Sequence, residues 1–123
     1  MTVPNDGSAY HESLLTSGDI SAPFWIAIPD HLSYFSYKSL KKTAQATGWA
    51  CNEILGDFPI DMFLMHEGSN YVRDRSKGPT AHKARIQMEL LLGELPAKTI
   101  NAYYAAMARV GLGRCLTAFL SPK

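Results

Sequence analysis

Four histidines, His11, His31, His66 and His82, are the residues best suited to acid-base or metal chemistry, because imidazole changes charge near neutral pH and ligates metals. No two of them stand three or four positions apart, as ligands on one helical turn would, and neither C-x-x-C nor H-E-x-x-H occurs. His66 and Glu67 are adjacent and point to different sides of a helix, and Asp57 and Asp61 straddle Pro59. Ser33, Ser36 and Ser39 lack the G-x-S-x-G context of a nucleophile elbow. The pattern therefore offers no catalytic residues, no metal ligands and no cofactor motif. An enzyme or enzyme subunit remains a third reading, because a site assembled from distant positions leaves no local signature.

Charge is the stronger pattern. Arg73, Arg75, Lys77, Lys83 and Arg85 surround the Gly78-Pro79 pair, with Asp74 to offset them. Lys38, Lys41 and Lys42 form a second basic cluster, and Glu53, Asp57, Asp61 and Glu67 form an acidic block between the two. Twelve Lys and Arg against 11 Asp and Glu leave a net charge of +1, so the surface as a whole is no polyanion electrode and any anion binding is local. Residues 73, 75, 77, 83 and 85 are candidate anion or partner contacts. Free amides in the first turn of a helix starting near Pro79 would help to hold a phosphate or carboxylate there.

Residues 39–55, "SLKKTAQATGWACNEIL", carry a degenerate helix-turn-helix spacing. Ala44 stands at the helix crossing, Gly48 at the turn, and Trp49 and Ile54 on the second helix. Thr47 stands where an apolar residue packs, and the reading face of Ala50, Asn52 and Glu53 offers only Asn52 to adenine. With Lys38, Lys41, Lys42 and Asn52 as contacts and 73–85 on phosphates, a nucleic-acid-binding regulator is the alternative function.

Aromatic residues point elsewhere. Tyr34, Phe35 and Tyr37 crowd four positions and Tyr103 adjoins Tyr104, more than one helical stripe can bury, and tyrosine suits interfaces through its large area and polar tip. The leading function is thus a small non-enzymatic binding or regulatory protein that acts by protein-protein contact, with another protein or with itself as a homodimer. No membrane partner and no cofactor are called for.

The elements that must position these residues follow from periodicity and caps. A chain of 123 residues, 46% hydrophobic, is long enough for one core, so residues 9–123 read as a single globular domain behind a flexible lead-in at 1–8. Ser8 caps a helix over 9–17 that exits at Gly18, and Tyr37, Leu40 and Ala44 stripe a helix that Gly48 ends. "WACNEIL" reads as two helical turns, and "PIDMFLMHE" as a further helix with Ile60, Phe63 and Leu64 inward. From Pro79, Ala81, Ala84, Met88, Leu91 and Leu92 form an apolar face ending at Gly93. From Pro96, Ile100, Tyr103, Tyr104, Met107 and Val110 form another.

The fold class is mainly α, a small compact helical domain with an antiparallel helical hairpin at 79–110. An α+β variant adds one or two short strands, at 24–28 between two prolines and at 114–120. Cys51 and Cys115 read as reduced, buried thiols. With no signal-peptide pattern and no apolar run of membrane-spanning length, the expected compartment is the cytoplasm.

Overall fold

A three-stranded antiparallel sheet organises the chain, which corrects the mainly helical class to α+β. The computed structural model describes residues 1–6 and 8–123. In chain order the elements are β1 (Thr2–Pro4), α1 (Ala9–Ser17), α2 (Tyr37–Ala46), β2 (Trp49–Gly56), α3 (Gly78–Gly93), α4 (Ala97–Arg109) and β3 (Cys115–Pro122). Short 3₁₀ turns at Ile60–Met65, Glu67–Ser69 and Arg75–Lys77 fill the stretch between β2 and α3. Among the described residues, no helix is long and apolar enough to cross a membrane.

The last strand of the chain lies in the middle of the sheet. β3 pairs with β1 on one side, Val3 opposite Leu116, and with β2 on the other, Ile54 opposite Ala118 and Gly56 opposite Leu116. The strand expected near 114–120 is therefore present. The one expected at 24–28 is not, and Pro23 and Pro29 explain the difference, since a strand flanked by residues that cannot donate gains little from a ladder. Its backbone is satisfied by turns instead: Ile26 N donates to Pro23 O at 3.2 Å, and Ala27 N donates to the Tyr34 hydroxyl at 2.7 Å.

β2 replaces the two helical turns assigned to "WACNEIL". Trp, Cys, Asn and Ile are middling helix formers, Gly48 and Gly56 bracket the stretch, and β3 supplies a partner edge, so tertiary pairing decides. A register shift between Cys51 and Glu53 leaves Asn52 as the extra residue, as in a β-bulge. The segment assigned to a helix after Pro59 is 3₁₀ rather than α.

The helices themselves follow their caps. Ser8 Oγ accepts from His11 N at 3.1 Å, and Gly18 takes φ +76 at the exit of α1. Ser36 and Ser39 form a reciprocal capping box at the start of α2. Within the expected flexible lead-in, residues 2–4 form β1, and Asn5 is buried with its Nδ2 on Gly113 O at 2.8 Å and Gly111 O at 3.1 Å. Gly7 of that lead-in lies outside the described residues.

Two apolar clusters result. Leu40 of α2, Ile54, Ala108 of α4, Leu116 and Ala118 make one, on the inner face of the sheet. Leu14 of α1, Ile20 and Leu64 make the other, with Phe24, Trp25 and Tyr71 against it. α3 contributes to neither. Of its apolar residues only Ala81 is buried, whereas Met88 and Leu91, assigned inward, are exposed. On α4 it is Ala105 and Ala108 that are buried, and Val110 is exposed.

Close approach of α4 to the sheet requires glycine at 56, where an added Cβ would lie 2.9 Å from Leu112 O and 3.3 Å from Ala108 N, both backbone atoms. Gly93 has open space and an ordinary helix-end backbone. Gly56→Ala should lower stability by about 2 kcal/mol, while Gly93→Ala should raise it by about 0.5 kcal/mol. Urea midpoints measured at equal protein concentration check both signs.

Candidate interaction surface

The polar chemistry of the molecule converges on Asp61, on the first turn after β2. Its Oδ1 accepts from Arg114 Nε at 2.7 Å and from the Tyr71 hydroxyl at 3.0 Å, and its Oδ2 faces His11 Nε2 at 3.3 Å. Its backbone carbonyl accepts from the Tyr10 hydroxyl at 2.7 Å, and Arg114 Nη2 donates to Tyr71 Oη at 2.9 Å. Aromatic rings close the group. Trp25 stacks on His11 with centroids 4.0 Å apart, and the Arg114 guanidinium lies 4.8 Å from the Phe24 ring centroid.

Burial opposes the charge on Asp61, but the His11 hydrogen bond, the Arg114 guanidinium and the Tyr71 hydroxyl outweigh it and hold the carboxyl below its ordinary value. Burial, then the charge of Asp61, pushes the Tyr10 and Tyr71 hydroxyls up, so both remain protonated donors. With a carboxylate facing Nε2, that nitrogen carries the histidine proton, and Nδ1 meets no partner among the described residues.

This group acts as a clamp between distant segments. The His11 and Asp61 side chains are 3% and 5% exposed, whereas Arg114 is 37% exposed and, with Phe24 and Trp25, lines a pocket of about 240 Å³. Cys115 adjoins Arg114, but burial and then Asp57 push its thiol up, away from the thiolate that a nucleophile needs. His66 spends Nδ1 on Gly68 N at 3.0 Å as a local cap. Among the described residues, no three His, Cys, Asp or Glu gather where they could hold a metal ion.

The structure disperses the basic residues of 73–85. Arg73 reaches Gly18 O, Lys77 reaches Glu67 O and stands 3.9 Å from Asp74, and Arg85 pairs with Glu89 at 2.9 Å. Arg75 and Lys83 are exposed and form no ion pair among the described residues. No side chain caps α3, and Lys77 itself occupies the cap position.

The second basic group divides likewise. Lys38 lines a pocket of about 330 Å³ with Asp6, Ser36 and Arg109, whereas Lys41 and Lys42 lie exposed along α2. A helix-turn-helix is not formed, because residues 49–56 are strand. Asn52 sits on the bulge and shares a 3.3 Å hydrogen bond with Ser121, not on a helix that could enter a groove.

The aromatics serve the interior more than the exterior. Phe35 and Tyr37 pack half-buried against the sheet cluster, and Phe35 also lines an apolar cavity of about 430 Å³ with Ala44, Trp49 and Leu120. Tyr34 is half-buried and accepts from Ala27 N, and Tyr103 and Tyr104 meet edge to face with centroids 5.2 Å apart. No known protein family, no curated protein and no solved structure matches the chain.

What stands unpartnered is the outer face of α3. Leu90 and Leu91 are each 67% exposed, Ile86, Met88 and Leu95 are exposed beside them, and only Ala81 of the helix is buried. Monomeric surfaces scatter single apolar residues but rarely group them along one helix. The charged residues among them, Lys83 and Glu94, are exposed and join no ion pair among the described residues. Sequence reasoning turned Leu91 inward with Leu92. The signal against this lay in the run Leu90-Leu91-Leu92, whose members stand about 100° apart and cannot share one stripe. For His11, Asp61, Tyr71 and Arg114 no local signal existed.

Removing the clamp has a defined pH signature. The folded state holds Asp61 below its ordinary 3.8, so its contribution is complete above that value and is lost as pH falls through the lower folded value. Asp61→Asn should cost about 3 kcal/mol at pH 7 by leaving Arg114 and His11 without their carboxylate. The gap to wild type should close as pH falls below about 4. Denaturant titrations at a series of pH values would show it, and a gap unchanged at pH 2 would contradict this role.

Proposed function

We propose that the chain is a small binding domain that acts by protein contact, and that the outer face of α3 is the surface it presents. The observation that carries this reading is the pair Leu90 and Leu91, each two-thirds exposed on a helix that gives almost nothing to the core. Fully burying a leucine is worth about 1.5–3 kcal/mol. A helix that keeps several large apolar groups in water therefore holds binding energy that only a docked partner can release. Of the basic and aromatic residues chosen from the sequence, Lys83 belongs to this surface. Several of the others already spend their polar atoms inside the chain.

A photoreactive amino acid placed at position 90 tests the proposal. In the cell that makes the protein, light should join position 90 to a protein and leave position 42, an exposed control on α2, unlinked. An absence of protein adducts at position 90 would overturn it.

A further inference from the structure

Resting on the reading of α3 as a docking face, we infer that its occupant is a second copy of this chain, with the two α3 helices antiparallel about a twofold axis that passes between Met88 and Glu89. The inference begins from the order of residues along the helix. At about 100° per residue, Lys83, Gln87, Leu90 and Glu94 fall on one line, with Ile86 on one flank and Leu91 on the other. All six are exposed. The spacing of four, three and four residues from Lys83 to Glu94 keeps these four on one side of the helix, with Leu90 as the apolar member between the two charges.

The seam has opposite charges at its two ends. An antiparallel copy in this register sets Lys83 against the partner's Glu94 and, by symmetry, Glu94 against the partner's Lys83. The same operation sets Gln87 against the partner's Leu90, and it brings Ile86 beside the partner's Ile86 on one flank of the seam and Leu91 beside the partner's Leu91 on the other. A parallel pair would place lysine on lysine and glutamate on glutamate, so charge alone selects the antiparallel arrangement. The contrast with Arg85 and Glu89 supports the assignment. Those two charges satisfy each other at 2.9 Å within one chain, whereas Lys83 and Glu94 have no ion-pair partner among the described residues. A different protein would have to supply the same reversed order of charge and apolar residues, which this chain already supplies to itself.

The size of the contact sets its strength. Sixteen residues span about 24 Å, so one helix pair lies at the low end of specific interfaces, near about 1,200 Å². A dissociation constant on the order of micromolar is expected.

Charge exchange tests the register. Sedimentation velocity over a concentration series should show a reversible monomer-dimer equilibrium for the wild-type chain. Lys83→Glu and Glu94→Lys, each of which creates two like-charge contacts, should weaken the dimer about tenfold. The double variant K83E/E94K restores both pairs with their signs exchanged and should recover most of the loss. Circular dichroism confirms that each variant is folded, as substitution at exposed positions leads one to expect. A wild-type chain that stays monomeric to about 1 mM, far above the micromolar constant expected from contact size, would overturn the inference. So would a double variant no better than either single one. The adduct formed at position 90 separates this from the reading beneath it. A product of twice the chain mass supports the twofold pair; adducts with other proteins alone overturn the pair but leave α3 a docking face; no adduct overturns both.

Discussion

The structure depends on a carboxylate that water does not reach. Asp61 stands at the junction of three parts of the chain that are distant in sequence: α1 through His11 and Tyr10, the irregular stretch through Tyr71, and the start of the central strand through Arg114. Removing a carboxylate from water costs several kcal/mol, and that cost is tolerable only when the oxygens are fully engaged. Here both are: Oδ1 has two donors and Oδ2 has the imidazole. The geometry is therefore specific as well as attractive. If α1 shifted by a turn, Asp61 Oδ2 would be left buried without its donor, a penalty that a hydrophobic contact of similar strength would not impose.

That specificity matters because the two apolar clusters are small and separate. The sheet cluster holds α2, α4 and the strands together, whereas α1, Ile20 and Leu64 form their own group. Tyr10 and Tyr71 belong to the margin of the second cluster, and Arg114 immediately precedes β3, which is central to the first. The polar clamp thus joins two units whose apolar contacts alone would leave them loosely related. Asn5 and Asn70 repeat the device on a smaller scale, each buried and each spending its amide on two backbone carbonyls from other segments.

This division explains which features could be read from the sequence. Caps are local, so Ser8 and the glycines at 18, 48 and 93 located the start of α1 and the ends of α1, α2 and α3 closely. β3 was legible as a candidate, because Cys115, Thr117 and Phe119 suit a pleat. β2 was not: its eight residues mix Trp, Asn, Glu and Leu without a clear period, and only the edge offered by β3 makes them a strand. The clamp was invisible for a different reason. His11, Asp61, Tyr71 and Arg114 are ordinary in their neighbourhoods, and nothing in a window of ten residues reports that a fold will bring them together. On α3, the error lay in taking a stripe of Met88, Leu91 and Leu92 for a core stripe, when periodicity shows only that residues share a side.

The position of α3 outside both clusters follows from this arrangement. A sheet already covered by α2 and α4 on its inner face has no inner surface left for a third helix, so α3 is attached through Ala81, the adjoining turns and α4. Its outward residues contribute little to the stability of the single chain, which depends on Asp61 and the two clusters. They are correspondingly free to change. Substitutions at Ile86, Leu90 or Leu91 need not disturb the fold. An apolar face that folding does not require raises the risk of nonspecific association, and in the antiparallel pairing proposed above the opposed charges of Lys83 and Glu94 would limit that risk by penalising registers that do not match them.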